Sequence, residues 1–372
     1  MNTLVTTRSV RRLDLVRLAA LVSAPALIAP LAVYAGDMNA KVYGDLSLAL
    51  VSTSASTDGG NSSYSMYDNV SLLGVKGEAA VVDGTKFIYD YNAILDIVNG
   101  GGGLGTHLGI VGIDGAFGTV TAGRDNGLFV GMVDGGTYMT NWFYTPGMSA
   151  LQVGKSIKYV TPSNSGFQAG VQAFDIGKDS ATGKTTNNYT VAGTYGMSAL
   201  TFGLGYTKYS EYANDGTAVT QYAESSDTNQ FGVGTNSFSG VVLKNTAGIS
   251  AAYKTDMYGV VAAMDSRKPN DAASNTEAIN TYMITGSYAA TKSINLAANV
   301  SSTKQSDKDS VDGVKGTIVT LMASYAPASN LTYTIEFQSS NKDANVSGIT
   351  GATGAGGTKS NTGLALGAMY AF

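Results

Sequence analysis

Residues 42–50 read VYGDLSLAL. Val42, Gly44, Leu46, Leu48 and Leu50 fall on one parity, and Tyr43, Asp45, Ser47 and Ala49 on the other. An amphipathic helix repeats its apolar residues three and four apart. A strand with one apolar and one polar face repeats them two apart, as here. The same period recurs in 86–97 (KFIYDYNAILDI), where Phe87, Tyr89, Tyr91, Ala93, Leu95 and Ile97 alternate with Lys86, Ile88, Asp90, Asn92, Ile94 and Asp96. It returns in Phe167–Ala169–Val171–Ala173, Leu200–Phe202–Leu204–Tyr206, Ile294–Leu296–Ala298–Val300 and Leu331–Tyr333–Ile335–Phe337. The last set is Leu364–Leu366–Ala368–Tyr370–Phe372.

The connections alternate as well. Short turn signals stand near Asp83-Gly84, Asp114-Gly115, Pro162-Ser163-Asn164, Gly196-Met197-Ser198, Thr255-Asp256, Thr291-Lys292 and Pro327-Ala328-Ser329. Longer Gly/Ser/Thr-rich stretches lie between them, at about 52–66, 98–105, 125–150, 176–187, 210–244, 266–277, 302–313 and 341–360. Seven turns and eight loops join sixteen strands. Short turns on one side and long loops on the other predict an all-β, transmembrane, 16-stranded antiparallel β-barrel. A soluble sandwich also alternates. It requires neither this division of loops nor aromatics at the strand ends (Tyr159, Tyr206, Tyr253, Tyr288, Tyr325, Tyr370), which suit an interfacial girdle. In lipid each backbone polar group must find a partner, so the sheet has to close. Sixteen strands leave a water channel inside.

Composition excludes several other classes. The 372 residues include no cysteine and a single histidine, so no disulfide scaffold, cysteine metal site or histidine relay is available. The net charge of −4 argues against nucleic acid. Residues 1–35 differ from the rest: Arg8, Arg11, Arg12 and Arg17 precede an uncharged run from Leu18 to Ala32, which ends in Val33-Tyr34-Ala35. This pattern predicts a cleaved signal peptide. The barrel then occupies 36–372, with 19 basic and 26 acidic residues and a net charge of −7. GGGGLG at 100–105 fits a dinucleotide fingerprint, but it sits in a hairpin loop with no helix after it. A hydrolytic barrel would have to build its site on His107, which parity places in the lumen, away from lipid. The expectation is no enzyme activity, no cofactor and no metal.

Several stretches together resemble the general (trimeric) porins of Gram-negative bacteria. They are AKVYGDLSLAL at 40–50, SLLGVKGE at 71–78, HLGIVGIDGAFGTVTAGRDN at 107–126, SIKYVTPSNSGFQAG at 156–170 and GLALGAMYAF at 363–372. The resemblance implies a homotrimer in the outer membrane, in contact with its lipid and lipopolysaccharide, and delivered by the assembly machinery that reads a terminal aromatic (here Tyr370 and Phe372). It also implies a third loop folded into the barrel as a constriction, at about 125–150. Departures from the family pattern are visible. The third loop lacks the acidic motif of many members and keeps Asp134 centrally, with Asp125 at its root. Where enteric porins carry basic residues, this chain has Asp45, Leu72 and His107. A strong transverse field is therefore not expected.

The candidate pore-lining and constriction residues are Asp45, Lys76, Lys86, His107, Arg124, Asp125, Asp134 and Lys158. Each has a plainer alternative. Asp134 could be a turn residue beside Gly135-Gly136, Arg124 could brace the loop, and Lys158 could sit at the rim. By parity the walls carry Lys41, Lys76, Lys86, Arg124 and Lys158 against Asp45, Glu78, Asp90, Asp96 and Glu336, which nearly cancel; the loop acids add a slight cation preference. The function this predicts is passage of ions and small hydrophilic solutes, filtered by size and lining charge. One rival is a sugar- or anion-selective channel, with Trp142, Phe143 and Tyr144 as the start of an aromatic track. Another is an adhesin barrel without an open pore. Tag insertion is expected to be tolerated in 210–244 and 341–360.

Overall fold

A computed structural model describes residues 39–54, 62–68, 70–82, 84–98, 105–134, 152–178, 185–210, 243–269, 276–307, 315–341 and 361–372. The expected signal peptide, the Trp142–Tyr144 track and nearly all of the two insertion loops lie outside these residues.

All described strands belong to one antiparallel sheet of seventeen segments. Two of these, Ser63–Asp68 and Ser71–Val82, both pair with the first strand, β1 (Asn39–Thr53), in one continuing ladder. They are two arms of a single strand, β2, which makes sixteen strands in the described residues. The strands that follow are β3 (Thr85–Leu95), β4 (Gly105–Gly115), β5 (Gly118–Asn126), β6 (Gln152–Val160), β7 (Phe167–Lys178) and β8 (Thr185–Met197). Next come β9 (Leu200–Lys208), β10 (Leu243–Lys254), β11 (Tyr258–Pro269) and β12 (Thr276–Ala289). The last four are β13 (Ile294–Asp307), β14 (Lys315–Ala328), β15 (Leu331–Ser340) and β16 (Asn361–Ala371). β1 pairs with β16 from Asp45↔Ala371 to Thr53↔Gly363, so the sheet has no edge.

The break in β2 has a local cause that alternation does not reveal. Val70 takes φ 58°. Asp68 bridges the kink: Ser71 N donates to its Oδ1 (2.7 Å) and Ile97 N to its Oδ2 (3.0 Å).

The barrel is apolar outside and polar inside. Leu46, Leu48, Leu50, Leu204, Ile249, Ile284 and Leu321 are exposed, whereas Ser47, Thr246, Thr281, Glu336 and Gln338 are fully buried. That distribution inverts a soluble protein and suits hydrocarbon outside. Among the described residues no helix is long and apolar enough to cross a membrane. Tyr159, Tyr253, Tyr288, Tyr325 and Tyr370 stand near the short-turn ends of their strands, where Tyr253 and Tyr258 stack at 6.2 Å. Tyr206 stands toward the opposite, long-loop end. Parity fixes the face of a residue but not its height, so one expected girdle divides between two levels.

β11 runs to Pro269, taking in the first four residues (266–269) of the stretch read as loop from 266. Its inner parity therefore continues through Val261, Ala263, Asp265 and Arg267, all buried.

Candidate pore lining and constriction

The inner wall is built by register. Lys41↔Lys76, Tyr43↔Gly74 and Asp45↔Leu72 pair across β1 and β2, and Lys76↔Asp90 and Gly74↔Asn92 across β2 and β3. Gly74 leaves room for the Tyr43 ring, since a Cβ there would stand 2.6 Å from it. The ring lies beneath the Lys76 ammonium, 4.7 Å from its centroid, close enough for a cation–π attraction. Tyr43 Oη donates to Asp90 Oδ1 (2.5 Å) and accepts from Asn92 Nδ2 (2.8 Å).

A bulge in β4 makes Asn92↔Leu108 and Ala93↔Thr106 the paired residues and leaves His107 between them. A bulge re-aims the side chain at its extra residue. His107 Nδ1 reaches Asn92 Oδ1 (2.9 Å), and Gln152 Nε2 stands 3.1 Å from His107 Nε2. Arg124 pairs in register with Gly109, and its Nε donates to the His107 carbonyl (2.9 Å).

A second bulge, between Gly123 and Asp125, brings Asp125 to Lys158 at 2.8 Å. Thr121 Oγ1 donates to the same carboxylate. Lys158 also donates to the Asn126 carbonyl (3.3 Å). Asn126 and Gln152 are the last paired residues before the third loop leaves the wall.

The loop then turns inward. Leu128 N donates to Oε1 of Gln172 (2.7 Å), which stands in register with Lys158, and a short helical turn ends in the π segment Val130–Asp134. Phe129 and Val133 pack with Ala263 and Met283, while Leu128 and Met132 pack with Ala192 and Val160. These partners lie on the inner faces of β6, β8, β11 and β12. Glycines form the seat. A Cβ at Gly203 would stand 2.2 Å from the Met132 carbonyl oxygen, and one at Gly248 2.6 Å from the Phe129 ring.

The structure thus gathers His107, Arg124, Asp125 and Lys158 at the loop root, with Lys76 two strands away. Asp45 lies one inward position from Tyr43, close enough to Asp68 to feel its charge. Lys86 is apart, near the short-turn end, bonded to Glu78 at 2.9 Å. Asp134 closes the π segment; its side chain lies outside the described residues. Asp96, counted above with the wall acids, follows β3, and Val98 N donates to its Oδ1 (3.2 Å) as in a turn.

Residue chemistry alone overlooks the neutral links Tyr43, Asn92, Gln152 and Gln172. It also overlooks the buried Asp265–Arg267 pair at 2.8 Å on β11. Counting period-two steps past 266 was the available signal for Arg267. Among the described residues no group of three or more His, Cys, Asp or Glu could hold a metal ion.

Known proteins agree with this architecture. The anion-selective porin from Comamonas acidovorans superposes with a TM-score of 0.65 at 17% identity, covering 90% of this chain and 100% of that one. OmpF of Salmonella typhi, solved with daunomycin, gives 0.65 at 14% identity, over 90% and 97%. The trimer form of OmpT, an outer membrane protein of Vibrio cholerae, gives 0.63 at 14% identity, over 90% and 99%. Among curated proteins none matches the sequence. The sequence profile of the Gram-negative porins matches residues 18–345, and with this span of agreement the chain belongs to the Gram-negative porin family.

Proposed function

We propose that the barrel works as a homotrimeric, passive and weakly selective outer-membrane pore for ions and small hydrophilic solutes, and that it performs no covalent chemistry. Outer-membrane diffusion is the function of this family's barrel, and the observation that carries it here is the wall itself. An apolar exterior surrounds a lining of hydroxyls, amides and charges, with the third loop seated inside.

Weak selectivity follows from how the lining charges are arranged. Lys86–Glu78, Lys158–Asp125 and Arg267–Asp265 are ion pairs, and Lys76 stands in register with Asp90. Compensated charges give a passing ion little net field. Lining roles for Asp45, Lys76, Lys86, His107, Arg124, Asp125, Asp134 and Lys158 are part of the same reading. Lys208, Lys268 and Lys304 are exposed near the long-loop ends of β9, β11 and β13. Their charge suits the phosphates of an outer-leaflet lipopolysaccharide. The trimer is supported by the family and by the trimeric OmpT relative. A role for Tyr370 and Phe372 in recognition by the assembly machinery is supported by their place at the end of the closing strand and just after it.

The test is insertion of purified protein into planar bilayers. Stepwise conductance, often in threes, is expected. Folded, β-rich protein that gives no steps would refute the pore. Block of the current by one sugar from a panel would replace weak selectivity with a substrate-selective channel.

A further inference from the structure

One hydrogen-bond chain on the pore wall has a fixed direction. The Asp90 carboxylate only accepts, so Tyr43 Oη spends its proton there (2.5 Å). Asn92 must then donate to Tyr43 through Nδ2 (2.8 Å), which leaves Asn92 Oδ1 facing His107 Nδ1 (2.9 Å). His107 Nδ1 therefore carries a proton. A neutral imidazole has no second one, so its Nε2 accepts from Gln152 Nε2 (3.1 Å). The same Gln152 nitrogen lies 3.5 Å from Asn126 Oδ1. Gln152 and Asn126 are the two roots of the third loop.

We infer that His107 is a specificity-determining residue whose protonation makes the pore more anion-preferring as pH falls. The inference rests on the channel reading above. A second proton goes to Nε2, where it meets the Gln152 amide N–H. The Gln152 amide must rotate to present Oε1, and it then faces Asn126 with an acceptor in place of a donor. Protonation thus adds one positive charge to the wall and rearranges the hydrogen bonds at the loop root. Among the described residues, the charged groups on the neighbouring strands include Asp90 on β3, Lys76 on β2, Arg124 and Asp125 on β5, and Lys158 on β6. Asp125 and Lys158 already neutralise each other. Lys76 stands in register with Asp90, so the added charge joins the single positive charge of Arg124.

Two measurements test this. The chain has one histidine, so histidine-selective 15N labelling gives a single imidazole signal pair from folded protein in micelles. At about pH 8 the Nδ1-protonated tautomer is expected, and at about pH 5 the doubly protonated ring. The Nε2-protonated tautomer at high pH would overturn the chain. In bilayers at about 0.1 M KCl, the wild-type cation-to-anion permeability ratio should fall about twofold between these pH values. It should stay constant in His107→Gln. A constant ratio in wild type with normal conductance steps, or an equal fall in His107→Gln, would overturn the inference and leave the channel reading intact. Absence of any steps would overturn both.

Discussion

Lys158 and Asp125 set the residue-scale expectations. Their side chains are 17% and 4% exposed, and the bond between them is 2.8 Å. Removing one partner of so enclosed a pair strands the other. Lys158→Met should cost about 3–5 kcal/mol, read as a lower urea midpoint for the barrel folded in lipid. Lys158→Met combined with Asp125→Asn should recover most of the loss; no recovery would mean that the lysine acts by packing alone. The ionisable members of this region could be picked out from sequence because charge is rare in the chain, at 13% of residues. Their partnerships could not. Parity assigns a face, whereas contacts need height, and bulges at His107 and at Gly123/Asp125 reset the height. Tyr43, Asn92 and Gln152 carry no charge and look like any other polar wall residue until the register brings them into line.

At the scale of the element, the seat of the third loop is the most sensitive part. Gly203 faces the Met132 carbonyl at a distance no Cβ can share, and a carbonyl cannot rotate away as a side-chain tip could. Gly203→Val should push the helical turn off the wall and toward the pore axis. Smaller single-channel steps are expected, with the barrel still folded by circular dichroism. Steps of wild-type size would show that the turn has other room. The strands themselves were largely readable, because period two persists wherever one face meets lipid and the other water. The seat was not. Gly203 and Gly205 sit at inner positions of β9 like many other small residues, and what they accommodate is distant in sequence. The kink of β2 was hidden for a similar reason, since Asp68 is held by Ser71 and by Ile97 in the turn after β3.

For the whole molecule, sixteen strands and the sides of their connections could be counted before any coordinates, whereas the ladder joining the two ends of the chain could not. Gly44 N donates to the Phe372 carbonyl (3.1 Å), and Phe372 N donates to the Gly44 carbonyl (3.0 Å). The Phe372 ring covers Gly44, where a Cβ would stand 2.7 Å from it. Deleting Phe372 removes both bonds and that cover. The expected result is a reduced yield of heat-modifiable, folded barrel on gels, with the barrels that do form nearly as resistant to heat as wild type. Unchanged yield would refute it. The pairing of Asp45 with Ala371 also orders events in time. β1 gains β2 early, but its other edge waits for β16, on the order of 300 residues later in the chain. Bringing together ends separated by on the order of 300 residues costs roughly 5 kcal/mol of chain entropy, which no local contact repays in advance. The sheet therefore cannot be completed before β16 has been made and exported. Until β16 arrives, every intermediate carries an unpaired edge beside a largely apolar face, so the time the chain spends between membranes is its most aggregation-prone period.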